Sequence, residues 1–146
     1  MGIIGNVVKV FLCLMFFLSG MCKLTPQWDE NVYTSMDVAF RERLTPFWQQ
    51  LFFSEIGLEL NASMVKTCFA STEMLCAVLL FTSYNLLAAI LLFGLMSFVV
   101  LTHVFLQEWS QVLTPLMLCV ASLFVCYVGD PPRTQSRPVY LREKTA

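Results

Sequence analysis

Residues 86–106 read LLAAILLFGLMSFVVLTHVFL, and this stretch decides the class of fold. It contains no Asp, Glu, Lys or Arg, and its one titratable side chain is His103. Because a helix needs about 20 mostly apolar residues to cross the hydrocarbon core of a bilayer, the stretch predicts a membrane-spanning helix. Three further segments meet the same requirement, at about residues 3–21, 64–82 and 112–128.

The composition agrees with four spans. Of the 146 residues, 58% are hydrophobic and 13% are charged, and the net charge is −1, whereas a soluble domain has about 45–50% apolar and about 25% charged residues. So little charge excludes a soluble enzyme and a nucleic-acid-binding protein that neutralises phosphates. We therefore predict an all-α fold, an integral four-helix bundle in the lipid bilayer over residues 1–129, followed by a flexible polar tail at 130–146.

Six cysteines first suggest a disulfide framework, but their positions argue against one. Five lie inside apolar runs and Cys22 lies at the end of one, where cysteine behaves as a small hydrophobic side chain. The chain has no C-x-x-C and no cluster of His and Cys with metal-ligand spacing. We therefore predict no metal site, and no motif indicates another cofactor.

The long connection at residues 22–63 contains an amphipathic helix. Thr25-Pro26 stops the first span, because the residue before a proline avoids the α-helical region. Apolar residues then recur at every fourth position, with charged residues on another face, as in a helix that lies on the membrane or against the bundle. The recurring residues are Val32, Met36, Phe40 and Leu44. Pro46 is expected to end this helix.

An aromatic-rich stretch follows Pro46 and reads Phe47-Trp48-Gln49-Gln50-Leu51-Phe52-Phe53. Such a stretch suits the headgroup zone of a bilayer, where tryptophan is enriched. One interpretation of the connection is a lid that lies on the membrane, and the other is a surface that binds a client protein. The candidate residues for a client-binding surface are Val32, Met36, Phe40, Leu44, Trp48, Leu51, Phe52 and Phe53.

Ionisable residues at the large-loop end of the spans form a second candidate site. Lys23 ends the first span, Lys66 and Glu73 lie two helical turns apart in the second, and His103 lies near the end of the third. The predicted topology brings all four to one half of the bundle. They form either a polar network that fixes how the helices dock or the lining of a proton, quinone or ligand site.

The predicted topology places both termini on the same side of the membrane. The tail carries four basic residues and the long connection carries three. The positive-inside rule therefore favours cytoplasmic termini and a long connection that faces the lumen or the exterior.

The end of the first span resembles a motif of a known membrane-protein family. Residues 20–26, Gly-Met-Cys-Lys-Leu-Thr-Pro, look like the G-x-x-K-L-T-P of the DoxX-like proteins. Glu73 lies where that family has G-x-x-E, although Ala70 replaces the glycine, and His103 lies where one member has a histidine. The pattern Y-x-x-M-x-x-A-[YF] is matched by Tyr33, Met36, Ala39 and Phe40.

Within the family the register is most similar to a chaperone of the endoplasmic-reticulum membrane that serves nicotinic acetylcholine receptors. The resemblance implies a non-enzymatic protein that holds subunits of nicotinic or related channels until they assemble. The fourth span would be a further contact inside the bilayer. The alternative within the family is a small quinone-linked subunit of a membrane oxidoreductase, with Lys23, Glu73 and His103 around the quinone. A transporter or channel subunit is less favoured, because the chain has no internal repeat or pair of broken helices.

Overall fold

The computed structural model describes residues 2–128, and the predicted tail at 130–146 lies outside them. All regular structure within 2–128 is helical, and four helices are long and apolar enough to cross a membrane. This confirms the predicted all-α fold with four apolar spans. The helices are α1 (Ile3–Leu24), α2 (Glu30–Ala39), α3 (Thr45–Trp48), α4 (Ala62–Leu79), α5 (Asn85–Phe105) and α6 (Trp109–Val128).

The long connection folds as one continuous helical segment, which we call the lid helix, from Glu30 to Phe53. Helices α2 and α3 are joined by a π-helical turn at Phe40–Leu44, and a second π-helical turn follows at Gln49–Phe53. Asp29 caps its start, since the Asp29 carboxylate accepts hydrogen bonds from two backbone N–H groups of the first turn.

The prediction that Pro46 ends this helix is wrong. In a regular α-helix, proline lacks an N–H donor and its ring collides with the carbonyl four residues earlier. Here the preceding turn is π-helical, and the Thr45 N–H bonds to the Phe40 carbonyl, five residues back. Pro46 therefore falls in the first turn of α3, where its missing N–H is tolerated.

The four spans pack as two pairs, α1 along α4 and α5 along α6, with fewer contacts between the pairs. Gly20 permits the close approach of α1 to α4. A Cβ atom at Gly20 would lie 2.4 Å from Met74 Cγ and 3.0 Å from the Ala70 carbonyl oxygen. The pairing therefore depends on a residue without a side chain at this crossing.

The apolar core fills the half of the bundle on the side of the α4–α5 turn. Leu12 and Phe16 of α1 are fully buried there against Leu80, which follows the end of α4, and Leu92 of α5. The outer faces of the spans expose large apolar side chains, as expected of helices in lipid. Most buried polar side chains of the spans lie in the opposite half, below the lid helix, namely Lys23, Lys66, Glu73 and Thr102. Lys9 and Ser122 are buried in the half that holds the apolar core.

Candidate functional site

Lys23 and Glu73 form a buried ion pair between α1 and α4. The Lys23 ammonium donates to Glu73 Oε1 at 2.7 Å, to Glu73 Oε2 at 2.5 Å and to Ser19 Oγ at 2.8 Å. The Ser19 hydroxyl in turn donates to Glu73 Oε2 at 3.2 Å. Lys23 is 7% exposed and Glu73 2% exposed. The charges therefore neutralise each other within the bundle and connect two spans.

Lys66 belongs to a different cluster. Its ammonium donates to Asp37 Oδ1 of the lid helix at 2.6 Å and lies 4.2 Å from the centre of the Tyr33 ring. Arg41 donates to the other oxygen of the same carboxylate at 3.0 Å. The hydrogen bond from Lys66, and the positive charges of Lys66 and Arg41, hold the pKa of Asp37 below its ordinary value, against the opposing effect of burial.

His103 lies in a third cluster, beside the turn between α5 and α6. Its Nδ1 is 2.8 Å from Glu108 Oε2, and Arg43 of the lid helix pairs with Glu108 Oε1. One carboxylate thus connects the end of α5 to the lid helix. The Lys66–Asp37 pair holds the lid helix over α4, and the Arg43–Glu108 pair holds it over the α5–α6 turn.

The four ionisable residues predicted as one network are therefore divided among three clusters. Three of them, Lys23, Glu73 and His103, nevertheless line one cavity of about 270 Å³ between the two pairs of spans, and Lys66 does not. Sequence reasoning missed Asp37 and Glu108 as partners. Glu108 lies in the short turn between α5 and α6, and Asp37 lies on the charged face of the lid helix, so neither carried a signal of burial.

The lid helix closes this cavity with aromatic side chains. Trp48 is 4% exposed, stacks on Phe69 of α4 with ring centres 5.2 Å apart and contacts Phe98 of α5 at 5.1 Å. Its indole Nε1–H donates to Thr102 Oγ1 at 3.0 Å. Phe40, also 4% exposed, packs edge-on against Trp48 and Phe69. These contacts hold the lid helix against both pairs of spans.

The eight candidate client-contact residues separate by exposure. Phe40 and Trp48 are buried in the roof of the cavity, and Leu44 and Phe53 are half-buried. The exposed members are Val32, Met36, Leu51 and Phe52. Among the eight, these four offer the most accessible area for direct contact with another protein, whereas Phe40 and Trp48 pack inside the bundle.

An apolar groove of about 600 Å³ lies beside the second π-helical turn. The lid helix contributes Phe52 and Phe53, the following turn contributes Leu58, and the floor is formed by Phe69 of α4 and Phe98 of α5. Sequence reasoning selected the aromatic stretch but not this groove, because its floor comes from residues of two other helices.

The comparison with known families bears on the whole bundle. A DoxX-like family model matches residues 7–125, which include all or most of every span and the entire lid helix. The chain belongs to the DoxX-like family. No curated protein matches it.

In this DoxX-like protein the residues of the G-x-x-K-L-T-P and G-x-x-E patterns meet at one helix interface. Gly20 makes the crossing of α1 and α4 possible, and Lys23 pairs with Glu73 one turn further on. Ala70, in place of the glycine, is fully buried in the same contact. These positions therefore shape the crossing of α1 and α4 in this bundle.

The described residues also bear on metal binding. Within residues 2–128, no group of three His, Cys, Asp or Glu side chains is arranged to hold a metal ion. At the inner end of the cavity, Lys23, Glu73 and Ser19 hydrogen-bond to one another.

Proposed function

We propose that this DoxX-like protein is a non-enzymatic chaperone of the endoplasmic-reticulum membrane, with its termini in the cytoplasm. It promotes the assembly and surface delivery of nicotinic acetylcholine receptor subunits or of related channel subunits. The proposal draws on the similarity of residues 20–26 and of the Tyr33–Phe40 register to NACHO, a chaperone of those receptors.

The structural observation that supports the proposal is an exposed apolar surface outside the four spans. Leu51, Phe52, Ile56 and Leu58 are each at least half exposed, with 55%, 50%, 74% and 52% of their area accessible. We call these four residues the loop surface. It borders the apolar groove, so that a client side chain inserted in the groove would be flanked by further apolar contacts.

This geometry suits the shielding of an unassembled subunit. Such a subunit exposes interfaces that its neighbours later bury, and an apolar surface can cover them without chemistry. The fourth span adds a contact inside the bilayer, since Leu113, Met117 and Val120 of α6 are exposed along one side of that helix. Release follows when the neighbouring subunit binds these interfaces with a more favourable free energy than the chaperone does.

The proposal is tested by counting surface receptors on cells that assemble a nicotinic receptor poorly. Labelled toxin bound to intact cells is measured with and without this protein, at constant total subunit. We expect more surface sites when the protein is present. The double variant Leu51→Ser with Phe52→Ser should abolish the increase, whereas Trp28→Ser, an exposed aromatic residue at the other end of the connection, should preserve it.

An unchanged number of surface sites across several receptor subtypes would refute the proposal. Full activity of the double variant would instead remove the loop surface from the mechanism. Immunoblots of each variant serve as the control for expression.

One observation favours the second candidate, a quinone-linked subunit of a membrane oxidoreductase. Lys23, Glu73 and His103, which that hypothesis places around a quinone, line the same cavity. An optical spectrum of the purified protein tests it, because a bound redox chromophore absorbs and bleaches on reduction.

A further inference from the structure

The cavity below the lid helix is closed by apolar side chains at one end and has exposed polar side chains at the other. Toward the α4–α5 turn it is bounded by Phe16 and Met96, beyond which lies the apolar core. Gln111 and Thr114, in the first two turns of α6, also line it and are exposed. Gln111 and Thr114 place an opening of the cavity beside the start of α6, and the exposed Met36 of the lid helix also lines it. From α6 the cavity leads inward to the Lys23–Glu73 pair.

The level of this opening is indicated by Trp109. This residue begins α6 and is 68% exposed, and tryptophan is enriched where the hydrocarbon meets the headgroups. Gln111 and Thr114 follow within about 8 Å along the helix axis, at a rise of 1.5 Å per residue. A molecule reaches the cavity from the upper part of the bilayer, where the polar heads of membrane lipids lie.

The hydrogen bonds of the ion pair determine what it can still bind. An ammonium has three donors, and those of Lys23 go to Ser19 Oγ and to both oxygens of Glu73. The Ser19 hydroxyl also donates its hydrogen bond to Glu73. Thr102, in the same lining, donates to the Phe98 carbonyl and accepts from Trp48. These side chains have no donor left for a ligand.

An acceptor position does remain. A carboxylate has about four lone-pair positions, and among the described residues Glu73 Oε1 accepts one hydrogen bond while Oε2 accepts two. The inner end of the cavity is thus matched to a ligand that donates a hydrogen bond. A head that carries only carbonyl oxygens finds no partner at this pair.

The electrostatics of the site add a second requirement. Lys23 and Glu73 cancel each other, so an ionised head would enter with no opposite charge to balance it and would lose its hydration. The remaining lining is largely apolar and includes Phe16, Met36, Phe40, Met96, Val99 and Leu118. An uncharged head on an apolar body satisfies both requirements.

We propose that this cavity binds the hydroxyl head of an uncharged membrane lipid. Two classes of membrane lipid carry such a head, the sterols and the diacylglycerols. The hydroxyl donates to Glu73, the adjoining rings or chain fill the 270 Å³ below the lid helix, and the remainder extends past Gln111 and Thr114 into the bilayer. This inference does not depend on the client of the protein.

The test uses the purified full chain in nanodiscs and a cholesterol probe that carries a diazirine and an alkyne. Light-induced labelling is quantified against unlabelled competitors. We expect cholesterol to compete at least tenfold better than its methyl ether, which has the same body but no hydroxyl proton. Equal competition by the ether would overturn the proposal, as would stronger competition by an oxidised isoprenoid quinone, which has only carbonyl oxygens.

A diacylglycerol arm separates the two sources. If diacylglycerol displaces the probe better than cholesterol and its methyl ether does not, the hydroxyl site is supported with a glycerolipid as its occupant. Mapping of the labelled peptide should place the adduct on the cavity lining, and labelling confined to the outer faces of the spans would contradict the proposal.

A pair of matched variants tests the position of the site. Val99 lines the cavity, whereas Leu101 on the same helix is 55% exposed on the outer face. Val99→Phe should lower labelling at least tenfold, and Leu101→Phe should leave it unchanged. Unchanged labelling of Val99→Phe would refute the site. If that variant does not fold, the competition by the methyl ether against the native chain still decides the proposal.

Discussion

Lys23 and Glu73, fifty residues apart in the chain, form a three-way buried contact with Ser19 that joins α1 to α4. The pair lies one turn from Gly20, where an added Cβ atom would collide with α4. Steric fit and charge pairing therefore act on the same interface. The residues of this chain that resemble the two DoxX-like motifs lie in different spans and meet at this interface.

Loss of one partner of this pair should destabilise the protein strongly. Lys23→Met leaves the Glu73 carboxylate buried without its counter-charge, which costs about 3–5 kcal/mol. Thermal unfolding in detergent measures the effect. The double variant Lys23→Met with Glu73→Leu should recover most of the loss, because two apolar side chains need no partner. A double variant that is no more stable than the single one would show that the pair does not act as a unit.

Gly20→Ala should destabilise the bundle by about 1–3 kcal/mol through overpacking. The added methyl group meets Met74 Cγ and the Ala70 carbonyl oxygen, and the backbone oxygen cannot move aside as a side chain can. Gly94→Ala is the matched control, since nothing lies within 4 Å of its added Cβ and alanine favours the helix. The unfolding temperature of Gly20→Ala should be several degrees below that of Gly94→Ala. Equal unfolding temperatures would contradict the close crossing of α1 and α4.

Thr102→Val should loosen the lid helix. The variant leaves the indole N–H of Trp48 buried without an acceptor, at a cost of about 1–3 kcal/mol. Hydrogen exchange of the backbone amides at 40–53 should accelerate, while exchange in α1 should be unaffected. Adding Trp48→Phe removes the unpaired donor and should restore part of the protection. Uniform acceleration over all helices would indicate general destabilisation instead.

Acid should weaken the Asp37 contact with Lys66 and Arg41. The pKa of Asp37 is lowered in the folded protein from its ordinary value of 3.8. The stabilisation is therefore fully present above about pH 4 and is lost as the pH falls through the lowered pKa. The stability difference between the native chain and Asp37→Asn, measured from pH 7 to pH 2, should shrink only in the acid range. A difference that is constant with pH would show that the charge of Asp37 contributes nothing.

Part of the site could be predicted because helical periodicity and depth are local properties. The positions of Lys23, Glu73 and His103 along three spans predict that they lie in the same half of the bundle, and all three line one cavity. The same reasoning groups Lys66 with them, because it lies two turns from Glu73. Its partner on the lid helix, Asp37, depends on how that helix is rotated over α4, which no pattern within the connection specifies.

The sequence by itself determined the four spans, because the free energy of placing a helix in a bilayer is a sum over its own residues. It also determined the end of α1 at Thr25-Pro26, which is a constraint between neighbouring residues. Only the tertiary structure decided that the lid helix continues through Pro46 and buries Phe40 and Trp48. Those outcomes depend on a π-helical turn and on aromatic rings from α4 and α5, and the energy of such contacts exists only once distant segments meet.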